Sequence, residues 1–190
     1  MTRRSKGSKK FFNAPKLRHV LEKQNCYEGE RLAWLLKLIK REVETVRQSD
    51  ATLPEKFWLK QQFSIGVNDV TRVLERMAPS AEMGSHAQRP PENHSDHKIS
   101  TVQLQAVLLA SDCKPRWLTE HLPSLTSSRN VPLIFVKDNK AGSLRLGELV
   151  KLKTAIAIGI KARGSSINRL IEDIVHGNVT DFETERLEVH

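Results

Sequence analysis

Ser64-Ile65-Gly66-Val67-Asn68-Asp69-Val70-Thr71-Arg72-Val73-Leu74-Glu75-Arg76 is the stretch on which the reading of this chain turns. It is a glycine turn feeding an amphipathic helix, with Val70, Val73 and Leu74 on the buried side and Asn68, Asp69 and Arg72 on the polar side. Polar groups therefore crowd the positive end of a helix, where unpaired backbone N–H groups and the dipole favour phosphate. The ordinary reading of Asn68 and Asp69 is an N-cap pair for that helix. The sharper reading is a surface that contacts RNA.

Towards the C-terminus the pattern is regular. Val102 to Ala110 starts by alternating and becomes wholly apolar, as a strand does when it enters a buried sheet. Ser111-Asp112-Cys113-Lys114-Pro115 turns the chain into a helix predicted to run to about Leu125. Val131–Val136 and Ala155–Ile160 read as two further strands, with a short helix over Ser143–Leu149 between them. A last helix starts at Gly164 and Ser165 and stops at Gly177, with Ile167, Leu170, Ile171, Ile174 and Val175 on one face. Strands alternating with helices predict a three-layer α/β/α sandwich.

Towards the N-terminus, a helix is predicted from about Glu28 to Gln48, preceded by a shorter one over Pro15–Asn25. Leu32, Leu36, Ile39, Val43 and Val46, with Leu35 beside them, form a continuous apolar stripe. The stripe is explained either by packing on the following domain or by docking to a partner protein. Residues 1–14 form a basic tail, 15–56 a helical extension, 57–177 the α/β domain and 178–190 an acidic tail. Within the domain, 78–100 is rich in Pro, Ser and Asn and reads as a loop or disordered insertion. Its His86, His94 and His97 lack a fourth ligand and a rigid scaffold, so no metal site is assigned to them.

Lys and Arg number 31 against 22 Asp and Glu, a formal charge of +9, which makes polyanions the leading partner class. Cys26 and Cys113 have neither metal spacing nor a disulfide-rich context and read as reduced thiols. Phosphate-binding glycine loops, nucleophile elbows and zinc-protease motifs are absent. Asp112 and His121 could look like an acid–base pair but are read as a strand-end turn residue and a helix residue, with no catalysis assigned to them, and Trp117 reads as an interface or core aromatic.

Taken together, Gly66-Val67-Asn68-Asp69-Val70-Thr71-Arg72, Leu109-Ala110-Ser111-Asp112, Lys114-Pro115, His121-Leu122-Pro123, Val131-Pro132 and Leu146-Gly147-Glu148 resemble, in order, the kink-turn RNA-binding ribosomal-protein superfamily of the L-seven-Ae and L-thirty-e type. Within it, residues 62–76 look most like the corresponding protein subunit of eukaryotic nuclear ribonuclease P and ribonuclease MRP. The resemblance implies a non-catalytic RNA-binding subunit without a cofactor, which recognises sheared G·A pairs beside a sharply bent bulge. By position, Gly66 would set the turn, Asn68 and Asp69 would meet guanine edges, and Arg72 would serve guanine or phosphate. Asp69 and Arg72 stand where the family commonly has Glu and Lys.

The resemblance also implicates the loop before the last strand, Lys151-Leu152-Lys153-Thr154-Ala155. Leu152 would pack on an extruded base while Lys151 and Lys153 hold phosphates. From Lys137 to Arg163 there are seven basic residues and two acidic ones, which favours an RNA-facing edge. The expected setting is a ribonucleoprotein particle in the nucleus, with the nucleolus its main site, acting in tRNA 5′ maturation or pre-rRNA processing. Expected partners are structured RNA and other protein subunits, the latter through the helix at 28–48. The alternatives are another particle, ribosomal or small nucleolar, or a protein-docking module that kept the fold without RNA specificity.

Overall fold

The computed structural model describes residues 25–79 and 102–178. In chain order they form β1 (Cys26–Glu28), α1 (Gly29–Ser49), α2 (Glu55–Gln62), β2 (Phe63–Ile65), α3 (Val67–Arg76), β3 (Leu104–Ala110), a 3-10 turn at Arg116–Leu118, α4 (Leu122–Ser128), β4 (Leu133–Lys137), α5 (Gly142–Leu149), β5 (Ala157–Lys161) and α6 (Ser166–His176). The five strands make one mixed sheet in the order β1-β4-β3-β5-β2. β4 runs parallel to both β1 and β3, while β5 runs antiparallel to both β3 and β2.

The near-continuous apolar sequence of β3 is explained by its central place, with helices on both faces. Ala106 and Leu108 point into one layer with Ile134, Val136, Ile158 and Ile160, covered by α1, α2, α5 and α6. Val107 and Leu109 point the other way, under Val70 and Leu74 of α3 and Leu122 of α4. A register slip against β5 between Leu104 and Ala106 turns Leu104 to the α3 side as well. This is the three-layer α/β/α sandwich.

Two strands were invisible to periodicity. β1 and β2 have three residues each, too short to show alternation, and tertiary pairing rather than local pattern makes them extended. β1 adds an edge to the sheet through β4, and the Glu28 carboxylate receives a 2.9 Å hydrogen bond from Lys137, whose pKa that bond and charge raise. The described chain before β2, from Asn25 on, is therefore built into the sheet and its core. The apolar stripe of α1 is spent there too: Leu32, Leu35, Ile39 and Val43 are buried in the chain's own core, with Leu36 and Val46 packed beside them. Of the two explanations of the stripe, packing on the following domain accounts for Ile39 and its buried neighbours.

The helix expected to run from the 111–115 turn to Leu125 is divided. A 3-10 turn precedes α4, whose Pro123 sits in its first turn, where a missing N–H costs nothing. Trp117 lies in that 3-10 turn and is 68% exposed, so it is not a core aromatic. The last helix starts and stops where expected. Ser165 and Asn168 form a reciprocal capping box, and Gly177 ends α6 at φ 70°. Buried Asn168 also donates to Gln105 and to the Lys161 carbonyl, clipping α6 to β3 and β5.

Cys26 and Cys113 form no disulfide. Among the described residues no helix is long and apolar enough to cross a membrane, and no group of metal-ligating side chains converges. The basic tail, the helix expected at 15–25, the histidines of the 78–100 insertion and the acidic tail lie outside the described residues, apart from Asn25, Ala78, Pro79 and Asn178 at their margins.

Candidate nucleic-acid interface

Gly66 joins β2 to α3 at φ 96° and ψ 155°, a conformation an L side chain rarely adopts, and its N–H donates to the Ala157 carbonyl at 2.8 Å. It is also the N-cap of α3. Asn68 and Asp69 fall inside the first turn instead, and no side chain caps this helix. The ordinary explanation of those two residues is thereby removed. Both are exposed, as is Arg72.

Asn68 makes no side-chain hydrogen bond among the described residues, so its amide is available to a ligand. Asp69 and Arg72 lie 3.7 Å apart as a solvent-facing ion pair. Such pairs are worth roughly 0–1 kcal/mol, so a ligand displaces one at little cost.

The helix behind these side chains is firmly held. Val70 and Leu74 are fully buried beneath it. Thr71 and His121 share a 2.8 Å hydrogen bond to the start of α4, and Arg129 donates to the Leu74 carbonyl at 3.0 Å, beside the Met77 N–H that the same oxygen accepts at 3.2 Å.

Sheet topology brings the second element alongside. Because β5 is antiparallel to β2, the beginning of β5 lies beside the end of β2, where Ile65 pairs with Ile158. Ala110 at the end of β3 donates to the Ile156 carbonyl at 2.9 Å. The loop 151–156 thus enters the sheet between the exits of β2 and β3, next to the Gly66 turn. Residues far apart in sequence share one end of one sheet.

Within that loop Leu152 is 48% exposed, and Lys151, Lys153 and Thr154 are also exposed. Ala155 differs from the expected ligand-facing position: it is 5% exposed, and its N–H donates to the Ser143 carbonyl at 2.9 Å, so it anchors the loop. Lys151 adopts φ 54° and pairs with Glu55 at the start of α2.

Gly147 lets the loop fold back on α5. A Cβ at this position would stand 2.7 Å from the Leu152 carbonyl oxygen and 2.8 Å from Thr154 Cα. Gly147→Ala is expected to displace the loop and to cost about 1–3 kcal/mol of stability, the usual scale of overpacking. Thermal unfolding together with the amide chemical shifts of 150–156 checks this; unchanged shifts in that loop would show that the close approach is not limiting.

At the other end of β5 from the loop, Lys161 donates to the Lys60 carbonyl and Arg163 to the Gln61 carbonyl, placing cations at the negative end of α2. Burial lowers the Lys161 pKa, the Arg163 charge lowers it further, and the Asp69 carboxylate opposes both.

Asp112 and His121 do not form a catalytic pair. Asp112 accepts backbone N–H groups from Asp138, Lys140 and Gly142 at 2.8, 2.9 and 3.2 Å, while His121 is engaged with Thr71. The sequence reading missed three structural contributors: Glu55, Gly147 as a packing position, and Asp112 as a loop anchor. Gly147 carried a signal, since a glycine within a short amphipathic helix needs a packing reason. Glu55 carried none, because its partner is remote in sequence.

Residues 93–168 match the sequence model of the ribosomal protein L7Ae/L30e/S12e/Gadd45 family. The L7Ae/L30e match runs from ahead of β3 to the first turn of α6, so it takes in the whole 151–155 loop and leaves the Gly66–Arg72 segment outside. Among solved structures, the chain is similar to the Giardia lamblia 15.5kD RNA binding protein. The two are 17% identical, with a TM-score of 0.49, and the similarity covers 80% of this chain and 90% of that one.

Proposed function

We propose that this protein is a non-catalytic RNA-binding subunit that recognises a kink-turn-like bend, and that it works in a ribonuclease P or MRP particle whose RNA performs the chemistry. The observation that carries this reading is the antiparallel β2–β5 pairing, which sets the exposed Asn68, Asp69 and Arg72 beside the exposed loop 151–154. The L7Ae/L30e family match over that loop supports it.

In this reading Asn68 and Asp69 meet guanine edges of the sheared G·A pairs, with Arg72 as a forked donor to guanine or phosphate. Gly66 sets their angle, Leu152 covers an extruded base, and Lys153 meets phosphate across Thr154. Ala155 contributes by holding the loop. The particle assignment rests on the likeness of residues 62–76, and it carries with it a nuclear, chiefly nucleolar, location and a role in tRNA 5′ maturation or pre-rRNA processing.

The deciding experiment compares binding of an RNA kink-turn with the same RNA stripped of its G·A pairs, at fixed salt. Loss of the pairs is expected to weaken binding by tenfold or more, since each well-formed base-edge contact discriminates by about 1–3 kcal/mol. Equal affinities would overturn the recognition mode. The RNA that co-purifies with the tagged protein tests the particle: ribosomal or small nucleolar RNA in place of a ribonuclease P or MRP RNA would reassign it.

A further inference from the structure

Lys151 is anomalous for a phosphate ligand. Its backbone is left-handed at φ 54°, and its ammonium group is already neutralised by the Glu55 carboxylate. Lys153, two residues on, is exposed and has no acidic partner among the described residues. The two lysines that sequence alone treats alike are therefore electrostatically unlike.

The loop between them is fixed along its inner side. Leu152 N–H donates to the Gly147 carbonyl at 3.0 Å, Ala155 N–H to the Ser143 carbonyl at 2.9 Å, and Gly147 leaves no spare room beneath. Those restraints all come from α5 and the residues around it. The Glu55–Lys151 pair is a side-chain link from this loop to α2, the helix that leads directly into β2 and Gly66. One ion pair thus couples the loop to the segment that ends in the α3 turn.

We propose that Glu55 and Lys151 form a strut that positions the loop against the β2–α3 turn, and that Lys153 rather than Lys151 makes the loop's phosphate contact. The phosphate half of this inference rests on the RNA-binding reading. The strut itself does not, and can be tested on the free protein. Both partners are solvent-exposed, so the pair contributes little to global stability and acts locally. Removing a carboxylate from an RNA-binding edge ought, on charge alone, to tighten RNA binding. A positioning role predicts the opposite sign.

The experiment uses the full chain with Glu55→Gln, Lys151→Glu, the Glu55→Lys/Lys151→Glu exchange, and Lys153→Ala. In the free protein, Glu55→Gln is expected to speed hydrogen exchange at the Leu152 and Ala155 amides about two- to fivefold, and the charge exchange to restore protection. With kink-turn RNA, Glu55→Gln is expected to weaken binding by a similar factor without changing its salt dependence. The charge exchange should recover affinity. Lys153→Ala is expected to reduce the log–log salt slope by about one unit, as loss of one phosphate contact does.

Unchanged amide protection in Glu55→Gln would overturn the strut. So would tighter RNA binding by that variant, or an exchange variant that stays as weak as Lys151→Glu with a slope reduced by one. Failure of the wild-type protein to prefer kinked RNA would instead overturn the RNA reading, leaving the amide measurements to judge the strut.

Discussion

An Asn68→Ala/Arg72→Ala protein is expected to bind kink-turn RNA roughly a hundredfold to a thousandfold more weakly while unfolding at the temperature of the parent. The two halves of this result have separate causes. Among the described residues Asn68 is exposed and makes no side-chain hydrogen bond, and Arg72 pairs with the exposed Asp69, so both removals fall in the class of surface changes worth within about 0.5 kcal/mol of stability. On the proposed RNA-binding reading their contribution is to ligand binding. A side chain paired with a base edge is worth about 1–3 kcal/mol, and two lost together amount to roughly 2–6 kcal/mol, which is about one and a half to four decades in Kd. Titration at one salt concentration measures the loss. The same variant on RNA lacking G·A pairs should lose far less, because the contacts are already gone. If both RNAs lose equally, Asn68 and Arg72 supply general affinity and not structure-specific recognition.

That separation was partly legible in the sequence. The apolar positions Val70, Val73 and Leu74 define which face of α3 is buried, and Asn68, Asp69 and Arg72 are then exposed by helical geometry alone. The sandwich was legible for the same reason: β3, β4 and β5 are long enough, and apolar enough, to declare themselves between helices. β1 and β2 were not, because three residues carry no period, and their extended form is imposed by β4 and β5. The stripe on α1 was legible as a buried face without saying what buries it. Periodicity reports that Ile39 is covered; contacts with the sheet and with α6 say by what.

The candidate site divides in the same way. The proximity of Gly66 to residue 157 needs the β2–β5 pairing, and no local signal contains it. Ala155 shows the limit in miniature. A small residue in a basic loop reads as surface, yet the return of the loop over Gly147 buries it. Lys151 and Lys153 are indistinguishable as letters and differ only because Glu55 reaches one of them.

Asp112→Ala is expected to destabilise the fold by about 3–5 kcal/mol, and the reason is an accounting of donors. One carboxylate oxygen of Asp112 receives the backbone N–H groups of Asp138, Lys140 and Gly142, which carry the chain from β4 into α5. Hydrogen bonds to a charged acceptor contribute about 1.5–3 kcal/mol each, less when several share one atom. Truncation leaves half-buried donors without a partner as well, and Asn139 and Lys140 sit at φ 46° and 74°, conformations that need such support. Gly142 fits the same geometry, because a Cβ there would lie 2.5 Å from Asp112 Oδ1. Asp112→Asn keeps an acceptor without the charge and is expected to lose only about half as much. Denaturant unfolding of both variants measures the difference. An Ala variant within about 0.5 kcal/mol of the parent would mean that the 138–142 turn holds itself. Because α5 carries Gly147 and leads straight into 151–154, loosening this turn should also weaken RNA binding. That coupling is indirect: it should fall with stability across the Asp112 series and leave the salt slope untouched, whereas loss of Lys153 changes the slope and leaves stability alone.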